Sequence, residues 1–309
     1  MNGIIDEFLI GAIDGHVHAC AHLNARSLTA LQAARQAQAA GMRALGLMDN
    51  FASSVGLAAM IDRELADPNF TVFGGLIMEP QAGGLNPRAV AAALGTGYSD
   101  ASGLDWRGAR PGARFVSFPT HATRHVALGE GRRGAYLEGC LALPASGPLP
   151  DPIPEILDLI AGADAVLNTG HLTADETLLL IAEARARGVG RILVPCSLFS
   201  TAEVEAIVAA GAVAEFSYFF VSHATQVALT HVDTEAHPIP ATTLAAMAAT
   251  IALLKPSHCI LSSDCGVSIL PAPVEGLRVF LRGLEAAGLP AAVLQAMVRD
   301  TPARLFGLD

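Results

Sequence analysis

His16 and His18 are the first residues of this chain whose types and spacing suggest chemistry. They lie in FLIGAIDGHVH, where the apolar run Phe8–Ile13 reads as a buried parallel strand ending in Asp14-Gly15-His16-Val17-His18. Two residues apart in an extended segment, the imidazoles project from one face. Neutral imidazole nitrogens converging at a strand end suit zinc and its divalent neighbours. A His-x-His pair alone is more often two loop side chains. Two later segments shift that balance: Thr169-Gly170-His171 follows the run Ala163–Asn168, and Ser263-Asp264-Cys265-Gly266 follows Cys259–Ser262.

Something must carry these residues to one place, and the pattern between them alternates. Further strands are expected over Arg43–Met48, Phe70–Met78, Arg114–Phe118, Arg191–Val194 and Val213–Ser217. Helices are expected over Ser27–Ala40 with Ser27 as N-cap, near Ser54–Leu65, and over Pro87–Leu94, Ile153–Ala161, Ser200–Ala210, Ala241–Leu254, Val274–Ala287 and Pro290–Val298. Another runs from the capping-box spacing Thr173…Glu176 to Arg187. Gly95–Gly112 reads as loop, and 122–151 is the longest irregular stretch, suited to a lid or an oligomer contact. Eight β/α units imply an α/β fold, a (β/α)8 TIM barrel of parallel strands in one domain over 1–309, with its site at the C-terminal strand ends. A doubly wound open sheet is the competitor, but polar residues follow nearly every strand end instead of gathering at one switch point. In a closed barrel His16, His18, His171 and Asp264 meet above the axis as a metal site.

Composition sets limits on function. The chain has 309 residues, 52% hydrophobic and 16% charged, so a large core is available. A net charge of −10 without a basic run argues against nucleic acid. No apolar run reaches the length of a membrane span, and MNGIIDEF lacks the features of a signal peptide, so a cytoplasmic location is expected. Five cysteines without a CxxC pair read as reduced thiols. P-loop, GxGxxG and GxSxG motifs are absent. A small-molecule substrate and, by base rate, a homodimer are the expected partners.

Taken together, Asp14-Gly15-His16-Val17-His18, Thr169-Gly170-His171, Leu261-Ser262-Ser263-Asp264 and the ending Asp300-Thr301-Pro302-Ala303-Arg304-Leu305-Phe306-Gly307-Leu308 resemble the motifs of the amidohydrolase superfamily of metal-dependent barrel hydrolases. The resemblance spans nearly the whole chain. It implies that Asp264 both touches the metal and takes the proton from metal-activated water, cleaving a C–N or C–O bond of a cyclic amide, lactone or related small molecule. A decarboxylase or other lyase, or a non-catalytic metal-binding barrel, is the alternative. The chain departs from the family where many members carry a fourth-strand lysine or glutamate and a sixth-strand histidine, having Phe118-Pro119-Thr120-His121 and Pro195-Cys196 instead. One divalent ion is therefore favoured over two, zinc first, with Mn2+, Fe2+ or Ni2+ as alternatives. His121 is the second catalytic candidate, and Glu79 and Cys196 are candidates for an additional ligand or substrate contact. Asp14 is expected to support the first histidines from behind, while His223, His231 and His237 read as surface or substrate-loop residues.

Overall fold

Short buried runs alternate with helices from end to end, and each run forms one strand of a single parallel sheet. The computed structural model describes residues 6–20, 25–95, 112–227 and 238–309. Its strands are β1 (Ile13–Val17), β2 (Ala44–Leu47), β3 (Thr71–Ile77), β4 (Phe115–Ser117), β5 (Val166–Asn168), β6 (Arg191–Pro195), β7 (Val213–Ser217) and β8 (Cys259–Ser262), paired in that order. The last strand returns to the first: Val17 bridges Cys265, the His18 N–H donates to the Cys265 carbonyl at 2.7 Å, and the Asp264 N–H donates to the His16 carbonyl at 3.0 Å. The result is the expected (β/α)8 barrel, its helices packed around the outside.

The expected position of β1 needs correction. Phe8–Gly11 form turns, with Gly11 at φ +72°, and the strand begins only at Ile13. Phe8 and Leu9 are fully buried all the same, and the Arg282 guanidinium lies 4.5 Å from the centroid of the Phe8 ring. An apolar run records burial, and burial alone does not distinguish a strand from a packed turn.

The helix termini follow side-chain capping chemistry. Thr173 and Glu176 form the expected reciprocal capping box, as do Ser200 and Glu203. The first helix is capped by Thr29, not Ser27, because Thr29 and Gln32 close such a box while the Ser27 N–H donates to the Gly266 carbonyl at 2.8 Å. The stretch 122–151 is more ordered than expected, holding helices Arg124–Gly129 and Ala135–Glu138 and a bridge between Thr123 and Leu141. The Glu176 carboxylate also accepts from the Leu143 N–H at 2.8 Å, tying this stretch to the barrel. The loop expected over Gly95–Gly112 lies outside the described residues except at its ends.

The core has an outer layer between sheet and helices and an inner one within the barrel. The inner layer gathers Ile13, Phe73, Phe115, Val166, Leu193 and Ile260 with Ala303, Leu305 and Phe306 from helix Asp300–Phe306. The Phe306 ring lies 4.8 Å from that of Phe73, tilted by 40°, and a Cβ on Gly15 would stand 2.6 Å from the Phe306 ring. The closing helix thus fills the barrel end opposite the histidines, and Gly15 leaves it room. Among the described residues no helix is long and apolar enough to cross a membrane.

Candidate metal centre

Three ligand atoms meet at the seam between β1 and β8. His16 Nε2 lies 3.2 Å from His18 Nε2 and 3.5 Å from Asp264 Oδ1, and His18 Nε2 lies 3.3 Å from Asp264 Oδ1. A local irregularity makes this possible. Ile13 packs in the inner core and Gly15 faces Phe306, so strict alternation would turn His16 outward. Between Asp14 and Val17, however, β1 carries one more residue than the paired Leu45–Leu47 segment of β2. This bulge reverses the alternation. Val17 accordingly joins the outer core, and both imidazoles line the cavity above the barrel. Asp264 sits in left-handed backbone at φ +50°, which aspartate tolerates better than most residues. Asp14 fastens the seam from beneath: its Oδ1 accepts from the His16 and Ser263 N–H groups at 3.3 and 3.1 Å. Complete burial pushes its pKa up to about 7.

Behind His16 stands Glu215 of β7, 2% exposed, with Oε1 at 3.0 Å from His16 Nδ1. Sequence reasoning passed over this residue. The available signal was a lone carboxylate inside the apolar strand Val213–Ser217. A carboxylate on the far nitrogen of a ligating imidazole fixes its ring and tautomer. Burial opposes charge on His16, but Asp264 and Glu215 outweigh it and hold its pKa at about 10. Burial lowers His18 to about 4 despite its contact with Asp264. Burial also lowers His171 to about 3, with His121 adding to the effect. Asp264 is buried too, yet His16 and His18 keep it ionised, at about 2. Near neutral pH the cluster is therefore one imidazolium, neutral imidazoles and a carboxylate, with a proton held where a cation would bind. Two nitrogens and a carboxylate oxygen within 4.8 Å of one another fit a divalent transition metal.

His171 lines the same cavity but does not join the three-atom group. Its N–H donates to the Pro119 carbonyl at 3.1 Å, and its own carbonyl accepts from Thr123 Oγ1 at 2.8 Å. Gly170 is required here, since it sits at φ +63° and a Cβ would stand 2.3 Å from the Pro119 oxygen. His121 also lines the cavity, with Nδ1 at 3.7 Å from Glu130 Oε1; burial opposes its charge, but Glu130 and Glu79 raise its pKa.

The other two candidates are placed away from the three-atom group. Glu79 is fully buried, and its carboxylate accepts from the N–H groups of Thr120, His121 and Ala122 at 2.7, 2.6 and 3.1 Å and from the Thr120 hydroxyl at 2.9 Å. Its capacity is spent holding the turn that carries His121. Cys196 is fully buried outside the cavity lining, its N–H donates to the Glu215 carbonyl at 2.8 Å, and burial pushes its thiol pKa up. That environment disfavours the thiolate a metal needs. His223 is exposed, and His231 and His237 lie outside the described residues.

The cavity, about 220 Å³, has a polar floor and apolar walls. Besides the histidines and Asp264, its lining includes Asn50, Leu172, Leu198, Phe199, Phe219, Phe220 and Ile239. Val126, Gly129 and Glu130 line it from within 122–151. The arrangement can bind a cation, orient a polar group on it and keep the rest of a ligand out of water.

Comparison with solved structures supports the same fold. A TatD homologue from Escherichia coli is 14% identical with a TM-score of 0.57, over 97% of this chain and 100% of that one. A phosphotriesterase-like lactonase variant from Deinococcus radiodurans is 14% identical with a TM-score of 0.56, over 96% of each chain. An amidohydrolase from Pseudomonas aeruginosa is 11% identical with a TM-score of 0.57, over 97% of each. The chain thus shares the barrel fold of these three proteins. No curated protein matches it. A family of unknown function, DUF6282, matches over residues 11–219, about two thirds of the chain. On that match, the chain belongs to the DUF6282 family.

Proposed function

We propose that this protein is a metal-dependent hydrolase that cleaves a C–N or C–O bond of a small molecule. One observation carries the reading: His16, His18 and Asp264 bring their ligand atoms within 4.8 Å of one another at the C-terminal end of a (β/α)8 barrel. The solved structures sharing the barrel, a TatD homologue, a lactonase and an amidohydrolase, add support by analogy of fold. His16, His18 and Asp264 would hold one divalent ion, zinc by preference. Bound there, such an ion would supply Lewis acidity, lowering the pKa of water towards about 7. Asp264, kept ionised by its histidines, accepts the proton of the attacking water and returns it to the leaving group. Glu215 fixes the His16 ring through Nδ1. His121 donates a hydrogen bond to charge developing on the substrate.

Metal content per chain, in the wild type and in the His16→Ala/His171→Ala double variant, tests the site; hydrolysis of amides, esters and lactones in 18O-water tests the reaction. Near one equivalent of metal, lost in the variant, with 18O in the product, is expected. No metal after reconstitution, or carbon dioxide release without water incorporation, would overturn the reading.

A further inference from the structure

Asn50 has no part in that reading, yet it is built into the cavity. It follows β2, is 3% exposed, lines the cavity, and its Oδ1 is buried without a hydrogen-bond partner. Buried polar atoms are satisfied in the great majority of cases, and leaving one unmade is costly. A carboxamide held unpartnered at the wall of a cavity is a group that a ligand completes. It offers an acceptor and donors side by side, and its natural mate is another amide. The free atom is the oxygen, and it discriminates: an amide N–H can donate to it, whereas an ester has no such donor.

The walls supply the second half of the inference. Leu172, Leu198, Phe199, Phe219, Phe220 and Ile239 present apolar surface, and the Phe220 ring meets His171 edge-on at 6.4 Å. Among the described lining residues there is no lysine or arginine, and these walls carry no cation to pair with an anionic tail; the cationic groups, His16 and a bound ion, belong to the polar floor, and Glu130 would repel an anion. Burying an unpaired charge there is strongly disfavoured. We propose that the cavity selects an uncharged, apolar amide, its amide edge hydrogen-bonded by Asn50 and its hydrocarbon part seated on these walls. This deepens the hydrolase reading by choosing C–N over C–O, and it rests on that reading for turnover, but the binding preference is measurable without turnover.

The test is calorimetric titration of metal-free and metal-loaded protein with three matched probes: N-methylhexanamide, its ester isostere methyl hexanoate, and N-methyladipamate, whose tail ends in a carboxylate. The amide should bind about tenfold more tightly than the ester, the scale of one neutral hydrogen bond, and the carboxylate-tailed amide should not bind measurably. Asn50→Leu, checked by circular dichroism and melting temperature, should abolish the amide–ester difference. Should that variant not fold, Leu198→Lys at the exposed rim provides the second arm, since it should allow the carboxylate-tailed amide to bind. Equal amide and ester affinity in the wild type, a preference that survives Asn50→Leu, tight wild-type binding of the carboxylate-tailed amide, or no binding of any probe would overturn the proposal. Selective binding without hydrolysis would instead count against the hydrolase reading alone.

Discussion

Replacing Glu215 with Gln nearly preserves its shape and removes its charge, which isolates what that carboxylate does to His16. In the metal-free protein Asp264 and Glu215 overcome the cost of burial and hold His16 at about 10, so near pH 8 almost every molecule carries a proton there. A divalent ion must displace it. Between pH 7 and a pKa of about 10, this displacement costs about 4 kcal/mol. Wild-type metal affinity should therefore climb about tenfold per pH unit from pH 7 to 9, with close to one proton released per ion bound. Titration calorimetry in buffers of different ionisation enthalpy counts that proton. In Glu215→Gln one of the two supporting carboxylates is gone, His16 titrates lower, and proton release falls below the wild-type value. The same change removes the carboxylate that fixes the ligating ring. Such a loss weakens metal binding by about 10- to 100-fold, or about 1.4–2.7 kcal/mol, an effect partly masked at pH 7 by weaker proton competition and plainer at pH 9. A wild-type affinity that stays flat from pH 7 to 9, or equal proton release in both proteins, would refute the reasoning.

Further outcomes follow from the same geometry. Asp264→Asn should abolish turnover while much of the metal stays bound; full activity with bound metal would remove its role as base. Phe306→Ala empties a position that is 2% exposed, and should cost about 3–5 kcal/mol in urea unfolding; a loss under about 1 kcal/mol would mean the barrel end closes without it. Glu79→Ala strands four donors on residues 120–122, and should lower stability and activity while metal per chain is unchanged. A drop in metal content would instead make Glu79 a ligand. In the metal-free protein, the raised pKa of His16 contributes stability that is complete below about pH 6.5 and lost as pH rises through about 10. The urea midpoint should accordingly fall between pH 6.5 and 10, and a constant midpoint would deny the pairing.

The alternation of buried runs and helices made the barrel legible, because βα periodicity is a local property of the chain. The seam cluster was legible because His16, His18 and Asp264 each follow or end such a run. Glu215 was not, since its importance lies in a contact across 199 residues with His16 Nδ1. Asn50 carries no motif; only the cavity reveals that its oxygen has no partner. Glu79 and Cys196 read as ligand types, and folding spent the first on backbone donors and buried the second. The β1 boundary was misplaced because Phe8 and Leu9 are as buried in a turn as they would be in a strand. The β1 bulge escaped notice as well, for periodicity cannot show where an extra residue reverses it.

The seam has a consequence for how the protein is made and measured. An ion gripped by His16, His18 and Asp264 would be a cross-link between the chain's first and last strands, closing a loop that takes in most of the chain. The unfolded chain retains only the adjacent His16-x-His18 pair and grips an ion far less firmly. By mass action such an ion stabilises the folded state alone, adding to a junction that the Val17–Cys265 bridge and a few backbone hydrogen bonds close without it. Metal per chain would then count assembled barrels as well as filled sites, so one elemental measurement reports on both synthesis and folding.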